Sequence, residues 1–287
     1  MTDTTSAAGD ANENRKADSN EGHGPEVLYE VADHIATITL NRPHRRNAIS
    51  VRMLQLLSQH FAAADDDPAV RVILLAGAGK GFCSGLDIKD AMAGSGIGGT
   101  GGGGGGGSFM QTRNLPTVIL QEIDTPVIGV LNGAAAGYGL DLALGCDIRL
   151  MASSALLLPG FAKRGVVPES GGTWYLPRLL GWAKAAEVSY LGRDIDAAEA
   201  ERIGLVNRAV PDGELMAVAI EWATEIAANA PLAIRAMKRL FRHGQTQDFA
   251  SHSHHVLLQT MQLFGTKDFQ EGLVSFMEKR PPEFRGR

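Results

Sequence analysis

The chain has 287 residues, 44% of them hydrophobic and 21% charged, with a formal net charge of −5 at pH 7. This is the composition of a globular protein with a sizeable core, and the negative balance excludes a general attraction to nucleic acid or anionic membrane. Two cysteines, Cys83 and Cys146, lie in apolar, glycine-containing contexts and read as reduced packing residues, not as a disulfide framework.

Residues 1–24 are rich in Asp, Glu, Asn, Ser and Gly and lack an apolar run, so a disordered polar tail is expected. The acids Asp3, Asp10, Glu13, Asp18 and Glu21 argue against a signal or transit peptide, which makes a cytoplasmic location the expectation. Residues 26–31 and 34–40 alternate apolar and polar side chains and predict paired strands ending at Asn41-Arg42-Pro43. Ser50 caps a predicted helix over 51–64, and 70–75 is a buried strand entering a glycine loop at 77–81. The run 94–107, almost all glycine, predicts a flexible linker; it lacks the Gly-Lys-Ser/Thr ending of a phosphate loop. Strands are expected at 126–131, 146–152 and 203–209, and helices at 214–228, 231–242, 249–264 and 267–279. The apolar-rich stretch 127–151 contains Asn132, Asp141, Asp147 and Arg149, which argues against a membrane span. His252, His254 and His255 have no carboxylate or cysteine at ligand spacing, so they are assigned to a helix face and no metal is expected.

The most informative segment is Asn132-Gly133-Ala134-Ala135-Ala136-Gly137-Tyr138-Gly139-Leu140-Asp141. A small-residue turn opens a helix there, so orphan amides and the helix dipole favour an oxyanion, and Asp141 falls in the first helical turn. Three more segments accompany it: Gly81-Phe82-Cys83-Ser84-Gly85-Leu86-Asp87-Ile88-Lys89, residues 165–178, and the C-terminal stretch 270–280.

In order and spacing, these four segments resemble the crotonase superfamily, the enoyl-CoA hydratase/isomerase family, over residues 24–287. The resemblance implies an α/β fold: a crotonase-like spiral of strand-strand-helix repeats over 25–213, followed by a helical trimerisation and CoA-contact region over 214–287. It implies an acyl-CoA thioester as substrate, with coenzyme A part of that substrate and no separate cofactor, and assembly as a homotrimer or dimer of trimers. Backbone N–H groups at Leu86 and Tyr138 match the family's oxyanion hole, which stabilises a thioester enolate. Ser84, Asp87, Ile88, Gly137 and Phe161 are further positions that the resemblance implies bind the substrate or CoA. Arg45 and Arg46 sit where the family lines the CoA entrance, and Phe276 and Lys279 match C-terminal positions that reach CoA, often from a neighbouring subunit.

Family hydratases carry two glutamates. Asp141 occupies the first position with a shorter side chain, and the second falls on Phe161, which transfers no proton. Glu169, in Val167-Pro168-Glu169-Ser170-Gly171, matches the acid/base of double-bond isomerases, and its apolar surroundings predict a desolvated carboxyl with raised proton affinity. The reading is a double-bond isomerase with Glu169 catalytic and Asp141 assisting. The alternatives are an enoyl-CoA hydratase and a non-catalytic binding protein on the same fold.

Overall fold

In a computed structural model of the chain, residues 24–87 and 115–287 are described. Residues 1–23 of the expected tail, Ile88 and the expected glycine linker 94–107 lie outside them.

β1 (Val27–Ala32) and β2 (Ile35–Leu40) form an antiparallel hairpin whose two-residue turn, Asp33 and His34, has positive φ at both positions. That is the turn geometry whose twist matches the flanking strands. α1 (Val51–Asp66) begins where expected, with the Ser50 hydroxyl accepting from the Met53 N–H at 3.0 Å. Its apolar side chains Met53, Leu57, Phe61 and Ala64 recur at helical spacing and are buried.

β3 (Val72–Gly77), α2 (Pro116–Glu122), β4 (Val127–Leu131), the two-residue β5 (Ala135–Ala136), α3 (Tyr138–Leu144) and β6 (Ile148–Ala152) follow. Next come β7 (Leu156–Leu158), α4 (Gly172–Leu180), α5 (Trp182–Leu191), β8 (Ile195–Asp196), α6 (Ala197–Arg202) and β9 (Arg208–Val210). The main sheet has the order β1-β2-β3-β4-β6-β9, parallel from β2 onward, and a smaller sheet pairs β5-β7-β8. β4 is buried along its whole length, as a parallel strand covered on both faces must be. Helices cover the crossovers between the parallel strands, which is the α/β spiral expected.

Two expectations are corrected. The strand expected at 203–209 contracts to Arg208–Val210, because the chain turns at Gly204 (φ 80°) and the Leu205 N–H returns to the Ala200 C=O. α4, α5 and α6 fill 172–202, a stretch in which no helix was anticipated; α4 carries Pro177 inside it, which interrupts the helical signal.

The C-terminal helices are α7 (Leu215–Ala227), α8 (Pro231–Gly244), α9 (Phe249–Phe264) and α10 (Lys267–Glu278), close to the expected bounds. α7 packs on the main sheet through Leu215, Ala219, Ala223 and Ala227, one buried residue per turn. On α8, Arg235, Lys238, Arg239 and Arg242 share a face and ion-pair with Asp65, Asp147, Asp124 and again Asp124. Although burial opposes its charge, Arg239 and Arg242 hold the Asp124 carboxyl below its ordinary range. Among the described residues no helix is long and apolar enough to cross a membrane.

Candidate active site

Three loops meet at the C-terminal ends of β2, β3 and β4, tied together by the buried Asn47 and the half-buried Asn132. Asn47, with no exposed surface and φ 55°, accepts from the Arg42 N–H and donates to the carbonyls of Ala78, Gly81 and Phe82. Asn132 accepts from the Gly77 N–H and donates to the Gly79 C=O. Gly133 is obligatory beneath this loop, because a Cβ there would stand 2.1 Å from the Lys80 carbonyl oxygen.

The strapped loop leads into the 83–87 segment, which runs between two others. On one side Ile49 donates to the Gly85 C=O at 2.8 Å and the Asp87 N–H donates to Ile49 C=O at 3.0 Å, so the Leu86 N–H between them faces away from Ile49. On the other side the Cys83 N–H donates to Ala134 C=O at 3.1 Å and the Ala136 N–H to Cys83 C=O at 2.9 Å. Cys83 therefore pairs in parallel with Ala135. The two turns are in contact: a Cβ on Gly85 (φ 94°) would lie 3.0 Å from Ala136 O and 3.5 Å from Tyr138 N. Tyr138 opens α3 after Gly137 (φ 51°), so its N–H has no acceptor within the helix. Both expected amide donors are thus brought to one place on the fold.

The carboxylates are distributed differently from the expectation. Glu169 was expected to be desolvated, but it is exposed, as are Val166 and Val167 in the same turn. The buried carboxyl is Asp141, with no exposed surface, because the 168–172 turn closes over the start of α3. Asp141 Oδ2 accepts from the Ser170 N–H at 2.9 Å, and Oδ1 has no hydrogen-bond partner. Burial pushes the Asp141 carboxyl up to about 7; the Ser170 and Gly172 amides oppose the shift and the Glu169 charge adds to it. Phe161, at the second hydratase position, is buried.

Asp87 was expected to line the substrate site and is instead an internal counter-ion, 6% exposed, paired with Arg42 at 3.1 Å and Arg45 at 3.3 Å. Arg45 is thereby half-buried against Asp87, whereas Arg46 and Ser84 are exposed and joined by the Ser84 N–H to Arg46 C=O bond at 3.1 Å. Phe276 and Lys279 are exposed on and beyond α10, and among the described residues no hydrogen bond, ion pair or ring contact links them to the cluster. Arg42 and Asn47 were missed. The signal was their spacing around a proline in Asn41-Arg42-Pro43-His44-Arg45-Arg46-Asn47, with Asn47 a residue type that tolerates positive φ. Cys83 and Cys146 are free, buried thiols, each pushed up to about 12 by burial, in keeping with packing roles. Among the described residues no cluster of His, Cys, Asp or Glu is arranged to hold a metal ion.

A family model described as "Enoyl-CoA hydratase/isomerase" matches residues 30–287. The 1,2-epoxyphenylacetyl-CoA isomerase of Escherichia coli is 33% identical over 263 residues, covering 91% of this chain and 98% of that protein. An enoyl-CoA hydratase of Mycobacterium tuberculosis is 33% identical over 269 residues, covering 92% and 98%. Among solved structures, an enoyl-CoA hydratase from Bacillus anthracis superimposes with a TM-score of 0.84 at 33% identity, covering 91% of this chain and all of that one. Agreement in sequence and in fold along nearly the whole chain shows that this protein belongs to the enoyl-CoA hydratase/isomerase family of the crotonase superfamily, a family of enzymes.

Proposed function

We propose that this enzyme moves a carbon–carbon double bond within an unsaturated acyl-CoA by a proton shuttle, with Glu169 as the acid/base. The observation that carries the reading is that Glu169 is the exposed carboxylate of the cluster, while Asp141 is buried and Phe161 fills the second hydratase position with an apolar ring. With a 3-enoyl thioester, the Glu169 carboxylate takes a proton from C2 and the electron pair moves onto the thioester oxygen. The Leu86 and Tyr138 N–H groups donate to that oxygen, each worth about 3 kcal/mol in comparable sites. The exposed Glu169 carboxyl exchanges that proton with solvent before delivering one to C4, the C2–C3 double bond forms and the carbonyl is restored. No atom or electron is gained or lost, so the reaction needs no cofactor beyond the CoA of the substrate.

Arg46 and Ser84 flank the approach from the CoA side. Phe276 and Lys279 act on CoA bound to a neighbouring subunit of a trimer or dimer of trimers, a reading supported by their exposure in the single chain. We place the enzyme in the cytoplasm.

The second reading is hydration of a 2-enoyl-CoA, favoured by the Glu169 charge acting on the Asp141 carboxyl and by the relatives named as hydratases. Products formed by the wild-type protein separate the two. A 3-enoyl-CoA in deuterated water is expected to yield the 2-enoyl isomer with deuterium at C4. Conversion of a 2-enoyl-CoA in ¹⁸O-water to a labelled 3-hydroxyacyl-CoA, with no isomerisation, would replace the first reading with the second.

A further inference from the structure

The Asp141 carboxylate has no exposed surface, and the turn that carries Glu169 packs against it. Its Oδ2 takes the Ser170 N–H at 2.9 Å, and its Oδ1 lies 2.3 Å from where a Cβ on Gly172 would stand, with the Pro168 Cβ 2.7 Å from that same point. Gly171 (φ 120°) and Gly172 open α4, a nine-residue helix, so the carboxylate sits at the positive end of its dipole. Only a residue without a Cβ lets it sit there.

This contact fixes Glu169 directly, because the Ser170 nitrogen belongs to the same planar peptide as the Glu169 carbonyl. The rest of the turn is loosely held. Val166 N–H bonds to the Phe161 C=O at 3.2 Å, and among the described residues no hydrogen bond from residues 167–169 follows before Ser170 reaches Asp141.

We propose that Asp141 is a positioning residue: through the Ser170 amide it clamps the turn that aims Glu169, and it exchanges no proton with the substrate. The inference rests on Glu169 being the acid/base of the proposed reaction. It assigns the shorter aspartate side chain a purpose, since Asp141 reaches the start of α4 within the fold instead of the bound thioester.

The test compares Asp141→Asn, Asp141→Ala and Glu169→Gln in the full chain, each turning over a 3-enoyl-CoA. The asparagine carbonyl still accepts from Ser170, so Asp141→Asn is expected to lose about three- to tenfold in kcat. Asp141→Ala releases the turn and is expected to lose on the order of 10² in kcat with KM within about threefold, the signature of a misaimed group and not of lost binding. Asp141→Asn as inactive as Glu169→Gln would overturn the proposal by making Asp141 a proton-transfer group. Asp141→Ala with wild-type kcat would overturn it by showing that no clamp is needed. If Asp141→Ala does not fold, the comparison of Asp141→Asn with Glu169→Gln still decides. An active Glu169→Gln would remove Glu169 from the chemistry, an outcome distinct from either result at position 141.

Discussion

Burial gives Asp141 a proton affinity far above that of an aspartate in the unfolded chain, raised from 3.8 to about 7, and this makes it a stability switch as well as a site residue. Because the folded value is the higher one, the folded state holds a proton that the unfolded state has released between those two pH values. Stability from this group is fully present below about pH 4 and lost as the pH rises through 7, by about 4 kcal/mol in total. Denaturant unfolding should therefore show wild type losing stability from pH 4 to 8 more steeply than Asp141→Asn; parallel curves would contradict the account. The proposed oxyanion donors behave differently, because backbone amides survive side-chain replacement. Leu86→Ala should cost less than about tenfold in kcat, whereas removal of a donor costs on the order of 10²–10³ in comparable sites. Steady-state kinetics distinguish these, and a loss of the larger size would point to the Leu86 side chain instead of its N–H. Glu169 shows where sequence reasoning stops: the residue type and its place in the motif were legible, but which of two carboxylates is buried depends on how the 168–172 turn lies on α3.

At the scale of elements, the candidate site is a contact between two turns; glycines mark each turn locally, and that the two meet was expected from the family resemblance. Gly139 is required where α3 crosses the 83–87 segment: a Cβ there would stand 2.5 Å from the Cys83 Cβ and 2.6 Å from its carbonyl oxygen. Gly139→Ala is expected to destabilise the protein by about 2–4 kcal/mol through overpacking and strain. It should also lower kcat by separating Leu86 from Tyr138, measured by thermal unfolding beside turnover; an unchanged midpoint would mean that the turns are not in contact. Asn47→Ala leaves the buried Phe82 carbonyl and the half-buried carbonyls of Ala78 and Gly81 without this donor and should cost about 2–4 kcal/mol. These ties were not legible. Asn47 reads as a turn residue in sequence, and its partners lie more than thirty positions away. The same holds for Asp87, whose pairing with Arg42 and Arg45 spans the same two loops.

For the whole molecule, strand alternation, the Ser50 cap and the proline-led α8 made most of the main sheet and the C-terminal helices legible, since each signal is local. What joins α8 to the core was not, because Arg235, Lys238, Arg239 and Arg242 read as a solvated face until Asp65, Asp124 and Asp147 are placed beneath them. Exposed apolar side chains, among them Phe249, Leu257, Met261, Phe276 and Met277 on α9 and α10, support the proposed assembly. Sedimentation at micromolar concentration should give the mass of three or six chains, and a monomer would contradict it. The central claim is the proposed proton shuttle, with Glu169 as acid/base and the Leu86 and Tyr138 amides as donors to the thioester oxygen. Its most direct measurement is deuterium incorporation and double-bond migration in a 3-enoyl-CoA in deuterated water, compared between wild type and Glu169→Gln. The account predicts that Glu169→Gln keeps its fold and loses at least about 10² in both readouts; undiminished migration in that variant would contradict it.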